Sequence, residues 1–377
     1  MRSDSLMPRI STRLVLNAYK ENPLLPLLLR ECRTLPSARN ELRWLREKAI
    51  GIAMTRGRLG RSTTSSGWRS TLRSMCRERS KGLPLQYILG DQPFGDLEIL
   101  CERGVLIPRP ETESLTFQAA TVILREFGGC RKLDGSITAS SIRILDLCSG
   151  TGCISLLLHS LLSPYYDWVS VLGIDASSRA VDLARRNLHY NARLDHLSGR
   201  AIQEVQFLQG DVLRCKEDGH PDIYEILQEY SHLQAIELGQ DENIRWDVLV
   251  SNPPYISAES FQDGTTARSV RIFEPTIALV PPHWMHTSMF GLHEEDLFYQ
   301  RLILLSFDLQ VGLTVLECGD RLQAERVRNA CNEIAINRRA AHTLSVWVWS
   351  LDTGVAGDSP SSDQEPCAVF LYRQPQL

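Results

Sequence analysis

The chain has 377 residues, enough for two domains with a sizeable core, and its 43% hydrophobic and 23% charged residues are those of a soluble globular protein. Its longest apolar runs, "PLLPLLL" and "ISLLL", are too short to span a bilayer, and no stretch reads as a secretory signal with a small-residue cleavage site. The formal charge of -4 conceals a split: residues 1–81 carry 18 Lys and Arg against 6 Asp and Glu, so a basic module (+12) is joined to an acidic remainder (-16).

The N-terminal stretch carries Arg2, Arg9, Arg13 and Lys20, with Asp4 as its one acid before Glu21. This suits an organelle transit segment at 1–20 and equally the start of a first helix. Residues 22–53 have apolar side chains at helical spacing, which predicts two or three helices. Residues 54–70, rich in Gly, Ser, Thr and Arg, read as a flexible excursion, and helical spacing resumes from Trp68 to about Ser80. The short apolar runs of 82–110, broken by Gly and Asp, suit a β-hairpin linker, with Pro108 and Pro110 holding its exit extended. Glu111 and Glu113 then open a helix to about Phe127, acids at its positive end, and 128–141 read as a loop.

From Ile142 onward strands and helices alternate, which predicts an α/β domain: a parallel sheet with helices on both faces. Strands are expected at 142–149, 169–176, 205–213, 246–255 and 313–319. Helices are expected at 153–162, at 177–192 from a Ser cap, and from 321 to about 334. Residues 215–243, with a helix at 222–238, are longer than an ordinary connection and read as an insertion. The stretches 343–350 and 367–373, separated by a polar loop, suggest an antiparallel edge. The expected organisation is a basic helical domain at 1–81, a hairpin linker at 82–110 and a catalytic domain at 111–377.

Ten cysteines show no CxxC and no Cys/His pair at zinc spacing, so no metal site is expected. Cys148, Cys153, Cys318 and Cys331 lie in apolar stretches and read as packed thiols, which favours a reducing compartment.

The segment "DLCSGTGC" puts Asp146 at a strand end and Gly150 and Gly152 before a helix, where a backbone can approach a ligand closely. The nicotinamide fingerprint needs a third glycine where Ser155 stands, which weakens that alternative. A D-x-x-x-G-x-G loop with an acid closing the next strand suits S-adenosylmethionine (AdoMet). Asp175 supplies that acid and can accept both ribose hydroxyls, while Asp211 and Val212, ending the third strand, are placed to flank the adenine.

The segment "VSNPPYIS" ends the fourth strand in the same crevice. An amide or exocyclic nitrogen is a poor nucleophile because its lone pair is delocalised. The Asn252 side-chain oxygen and the Pro253 carbonyl can accept the two hydrogens of a planar NH2, exposing that lone pair and stabilising charge that develops on nitrogen. Pro253 and Pro254 preset the backbone, and Tyr255 can pack on the flat group. No metal and no strong base is required.

The segments "LPLQYILG", "GVLIPRPETE", "ILDLCSGTGCISL", "VSNPPYIS", "FEPTIAL" and "VLECGDRLQAERV" resemble the HemK/PrmC family of protein-(glutamine-N5) methyltransferases, over residues 24 to about 334. The resemblance implies a helical N-terminal domain, a hairpin linker and a class I AdoMet-dependent methyltransferase domain with a Rossmann-like seven-stranded sheet. It implies AdoMet as methyl donor, with S-adenosylhomocysteine as product. The implied substrate is the glutamine of the Gly-Gly-Gln motif in a peptide chain release factor, seated on Asn252, Pro253, Pro254 and Tyr255. The cofactor would lie along Cys148, Ser149, Gly150, Thr151 and Gly152, with Asp175, Val212 and Asn252. Arg109, Pro110 and Glu111 resemble a linker segment beside the pocket, and Glu274-Pro275 a motif that follows the active-site loop. The family usually has Gly where Cys148 stands, a replacement expected to be tolerated at negative φ. The basic N-terminal module fits a mitochondrial member, with a cytoplasmic location as the alternative.

Two other functions compete. The NPPY segment also occurs in adenine and guanine N-methyltransferases, but no base-recognition domain is evident and the catalytic half is acidic, which disfavours nucleic acid as substrate. A non-catalytic AdoMet-binding adaptor would have no use for Asn252 and Tyr255.

Overall fold

Ser11 opens the first helix in the computed structural model, its hydroxyl accepting from the Leu14 N–H at 3.3 Å. The structure describes residues 9–58, 67–128, 139–214, 221–238, 245–282, 291–350 and 367–374. The chain divides into two compact units. One comprises residues up to Gln92 with Cys101–Arg103 and Gln262–Glu274; the other comprises Pro93–Leu100, Gly104–Phe261 and Pro275 onward.

The first unit is helical: α1 (Thr12–Glu21), α2 (Leu25–Cys32), α3 (Leu35–Arg58), α4 (Gly67–Ser80) and the short α5 (Leu85–Leu89). Ala18, Leu25, Leu28, Leu29, Leu45 and Cys76 bury their side chains in one apolar cluster. Arg79 clamps Glu41 beside it through two hydrogen bonds of 2.8 and 2.9 Å. The excursion expected over 54–70 shrinks from both ends, because α3 runs to Arg58 and α4 starts at Gly67. Polar Thr55 does not break α3, since its hydroxyl donates to the Gly51 carbonyl one turn back. The middle of that stretch, 59–66, lies outside the described residues. The segment expected as a transit peptide partly belongs to α1, whose Ala18 is fully buried; residues 1–8 lie outside the described residues.

The hairpin expected in the linker is β1 (Asp91–Phe94) with β2 (Leu97–Leu100). The residue before Pro110, Arg109, is extended as expected, with φ -108° and ψ 147°. Pro110 itself begins the next helix, α6 (Pro110–Phe127), where its missing N–H costs nothing, and Glu111 and Glu113 sit in the first turn.

The second unit then alternates β3 (Ala139–Leu147), α7 (Cys153–Leu162), β4 (Tyr166–Asp175), α8 (Ser178–Arg193), α9 (Ala201–Glu204), β5 (Val205–Gln209), α10 (Ile223–Leu238) and β6 (Val248–Ser251). Residues 256–312, for which periodicity set no element, contribute α11 (Ala258–Gln262) and α13 (Leu297–Asp308) here, while α12 (Arg268–Phe273) belongs to the first unit. The chain continues through β7 (Leu313–Cys318), α14 (Arg321–Asn337), β8 (Leu344–Ser350) and β9 (Cys367–Arg373). The sheet has seven strands in the order β5-β4-β3-β6-β7-β9-β8, and only β9 runs against its neighbours. The last strand is therefore inserted between β7 and β8, so β8 and not the chain's end forms the edge.

Side-chain alternation explains why helices cover both faces. Ile144, Val248, Val250, Leu313 and Val315 pack with α6, α7 and α8 on one face. Leu145, Leu147, Leu249, Leu316 and Cys318 pack with α10, α13 and α14 on the other. This is the class I AdoMet-dependent methyltransferase fold. Strand order reverses at β3, whose neighbours are β4 and β6, so a crevice opens at the carboxyl ends of β3 and β6. Among the described residues no helix is long and apolar enough to cross a membrane.

Candidate functional site

Strand register assembles the site. Leu147 of β3 lies level with Ser251 of β6, and Ser251 lies level with Leu316 of β7. The residues that follow, Cys148, Asn252 and Glu317, are thereby brought side by side from three strand ends. Ser251 ties the first two together by donating its hydroxyl to the Leu147 carbonyl at 2.6 Å.

A cleft of about 440 Å³ opens there, within the range of small-molecule sites. Of the sequence-predicted residues, Cys148, Gly150, Asp175, Asp211, Val212, Asn252 and Pro254 line it. Ser149, Thr151, Gly152, Pro253, Tyr255 and Arg109 do not line it. Ser149 and Thr151 are buried behind the loop, where the Ser149 N–H donates to Ile174 O and the Thr151 carbonyl accepts from Asn187. Gly152 has φ 77°, and a Cβ there would strike the Phe207 ring at 2.7 Å, so glycine is needed for close packing of the loop on β5. Arg109 is the N-cap residue of α6, with extended backbone.

Cys148 departs from expectation. Its φ is +64°, in the left-handed region and not the negative range. The backbone turns there as it would for glycine, and a cysteine side chain bears the strain, about 1 kcal/mol. Burial and the neighbouring Asp175 carboxylate hold its thiol well above the ordinary value, so it stays protonated.

Asp175 ends β4 with both oxygens engaged: Oδ2 accepts from Gly150 N–H and Oδ1 from Ser177 N–H, each at 2.8 Å. Each oxygen keeps a further lone pair. Burial raises its pKa, opposed by these two hydrogen bonds. Asp211 and Val212 do not end a strand. β5 stops at Gln209, the Gly210 N–H returns to Asp175 O, and Asp211 closes a turn by accepting from Leu213 N–H at 2.9 Å. Both residues still line the cleft. Asp146 faces away from it: fully buried, it accepts from Ser155 Oγ at 2.6 Å, and burial pushes its pKa up to about 7.

β6 stops at Ser251, because Pro253 and Pro254 have no N–H for the ladder. The half-buried Asn252 carboxamide donates from Nδ2 to Thr112 Oγ1 at 3.1 Å, and Thr112 donates to Glu317 Oε1 at 3.0 Å. Burial pushes the Glu317 carboxyl up to about 7 despite the Thr112 hydrogen bond. Tyr255 packs on Gly319, where any Cβ would meet the ring at 3.0 Å. Its hydroxyl is held far above the ordinary range, chiefly by burial and then by Glu317, so it is no proton acceptor at neutral pH. Gln323 fixes the Tyr255 loop: Nε2 donates to the Tyr255 carbonyl at 3.2 Å and to Asp296 Oδ1 at 2.9 Å, while Oε1 accepts from Gly319 N–H.

Thr112, Glu317 and Gln323 were not singled out from the sequence. One signal was available: Glu317 is a lone acid inside the apolar run "LTVLEC", and a charge in a buried strand needs a partner. Pro275, beside the Glu274-Pro275 motif, lines the cleft as well.

Comparison with known proteins adds to this geometry. The mitochondrial MRF1 N(5)-glutamine methyltransferase MTQ1 of Saccharomyces cerevisiae is 34% identical over 276 residues, 73% of this chain and 68% of that protein. The probable MRF1 mitochondrial N(5)-glutamine methyltransferase mtq1 of Schizosaccharomyces pombe is 33% identical over 326 residues, 86% of this chain and 88% of that protein. A release factor glutamine methyltransferase of Thermodesulfovibrio yellowstonii is 34% identical over 261 residues, 69% of this chain and 71% of that protein. Among solved structures, the N-terminal domain of human METTL16 in complex with SAH aligns with a TM-score of 0.42 at 14% identity, over 78% of this chain and 83% of that one. No family model matches the chain.

Proposed function

Since the chain belongs to the HemK/PrmC family of release factor glutamine methyltransferases, we propose that it transfers a methyl group from AdoMet to the side-chain amide nitrogen of the glutamine in the Gly-Gly-Gln motif of a peptide chain release factor. The observation that carries this reading is the state of Asn252. Its NH2 group faces Thr112 and Glu317, with one hydrogen bonded to the Thr112 hydroxyl, so the group turned the other way is the carbonyl oxygen, an acceptor.

The residues present fit AdoMet. Asp175 brings a carboxylate to the cleft for a ribose diol, Asp211 lines it beside Val212 on the side expected for the adenine, and Ile174, Ala180, Val212 and Phe298 give it apolar walls for a flat base. A Cβ on Gly150 would meet nothing within 4 Å, so the loop leaves open space on the cleft side. AdoMet supplies an electrophilic methyl on a sulfonium. The protein's task is to aim an amide nitrogen at it. Asn252 Oδ1 accepts one N–H of the substrate amide and the Pro253 carbonyl the other, which turns the nitrogen lone pair toward the donor and stabilises positive charge on nitrogen. Such alignment supplies roughly 7–11 kcal/mol where contact is close. The methylated nitrogen then loses one proton to solvent, leaving a neutral N-methyl amide. Tyr255 stays neutral throughout, its ring packed on Gly319 behind the cleft.

The two fungal relatives carry mitochondrial names, and the +12 N-terminal region suits import; both support a mitochondrial location. A fluorescent fusion that stayed in the cytosol would remove it.

The test is to incubate the protein with methyl-labelled AdoMet and either a release factor or total RNA. Label on the Gly-Gly-Gln glutamine, located by mass spectrometry, is expected; label in RNA alone would overturn the proposal. Asn252→Ala is expected to keep AdoMet affinity and to lower turnover about 10²–10³-fold.

A further inference from the structure

We infer that Thr112 is a positioning residue that sets which way the Asn252 carboxamide faces, with Glu317 dictating the direction of the Thr112 hydroxyl. The inference rests on the proposed function for its consequence in turnover, but not for its geometry.

A threonine hydroxyl has a single hydrogen. Here it goes to Glu317 Oε1 at 3.0 Å, an oxygen that accepts both when the carboxyl is ionised and when its proton sits on Oε2. The side of Thr112 facing Asn252 is therefore left with lone pairs, and the Asn252 atom 3.1 Å away must be the NH2 and not the oxygen. Reversing the carboxamide would set two acceptors against each other. The relay is buried: Thr112 is 2% exposed and Glu317 3%, so water does not readily replace either partner. Its three members come from separate places, the first turn of α6 and the ends of β6 and β7. No ordinary capping or ladder requirement brings them together. Thr112 is the third residue of α6, after Pro110 and Glu111, and its hydroxyl bonds to Glu317 and not to the helix's own backbone, whereas Thr116 one turn on donates to Thr112 O at 2.7 Å. The second Glu317 oxygen, Oε2, is buried with no hydrogen-bond partner among the described residues.

The experiment compares wild type with Thr112→Val, which keeps the shape and removes the hydroxyl, and Thr112→Ser, which keeps the hydroxyl. Thr112→Ala serves in place of the valine variant if that one does not fold. The first readout needs no substrate: exchange of the Asn252 side-chain amide protons by NMR, its resonances identified by their loss in Asn252→Ala. Exchange is expected to speed at least about 10-fold in Thr112→Val and to stay near wild type in Thr112→Ser. The second readout is kinetic: kcat on release factor falls about 10- to 100-fold in Thr112→Val, with KM for the protein substrate and AdoMet affinity unchanged, and Thr112→Ser recovers it. Unchanged amide exchange together with unchanged kcat in Thr112→Val would overturn the inference, and so would a kcat loss that serine does not rescue. If wild type methylates no release factor while Thr112→Val still frees the amide protons, the proposed substrate fails and the positioning role stands.

Discussion

Asn252 and Thr112, 140 residues apart in the chain, meet through a 3.1 Å hydrogen bond that leaves the Asn252 oxygen as its free acceptor in the cleft. A motif readable from eight consecutive residues is thus completed by a helix start far upstream. The same dependence on distant partners shapes what substitutions elsewhere in the site should do.

Asp175 both supports the glycine loop, through Gly150 N–H, and offers its remaining lone pairs to the cleft. Asp175→Ala is expected to weaken AdoMet binding about 10- to 100-fold, the loss of hydrogen bonds to a charged group. Isothermal titration calorimetry measures this directly. Affinity equal to wild type would remove Asp175 as the ribose partner.

Cys148 occupies a left-handed position that glycine takes without strain. Cys148→Gly should be neutral to mildly stabilising, within about 1 kcal/mol, because relief of strain is offset by a freer unfolded chain. Cys148→Val should lose about 2 kcal/mol or more, since a β-branched side chain is hindered there. Urea unfolding separates the two. Equal stability of both variants would mean that the strain is not felt.

Asp146 couples stability to pH. Its folded-state pKa, about 7, lies above the ordinary 3.8, so the folded protein keeps the proton that the unfolded chain releases. The stabilisation is fully present below about pH 4 and is lost as pH rises to about 7, where the charged form must sit in the core. The facing groups are Ser155, whose hydroxyl opposes the rise, and Asp175, which adds to it. Asp146→Asn should therefore be more stable than wild type at pH 8, by up to about 4 kcal/mol, with the gap closing below about pH 4. Glu317, also raised to about 7, is present in both proteins and cancels in the comparison. Thermal unfolding across this range checks it; a gap that does not change with pH would refute the assignment.

The first helix restricts where an import signal can end. Ala18 is fully buried in the helical unit, and Glu21 forms a two-pronged pair with Arg39 at 2.6 and 2.7 Å. The exposed pair contributes little, but the apolar face of α1 does not. Removing residues 1–21 should cost about 2 kcal/mol or more in urea unfolding. On the proposed mitochondrial location, any mature N-terminus read by mass spectrometry is expected before Ser11. A mature protein beginning after Glu21 would contradict this.

Local chemistry carried much of the molecule. The α/β alternation after Ile142, the Ser177 cap, the glycine loop, Asp175 and Asn252-Pro253-Pro254-Tyr255 were legible because each depends on neighbours in the chain: short continuous apolar runs of doubly covered strands, a cap's own side chain, a proline's missing N–H. Register, strand order and proton direction were not, because each is set by contacts between residues far apart in sequence. The Cys148 conformation follows from how β3 hands its chain to α7, not from the residue's own preference. The place of β9 between β7 and β8 follows from pairing that no local pattern encodes. The orientation of the Asn252 carboxamide depends on a hydroxyl in α6 and a carboxylate after Leu316, which become neighbours only once the sheet has closed around them.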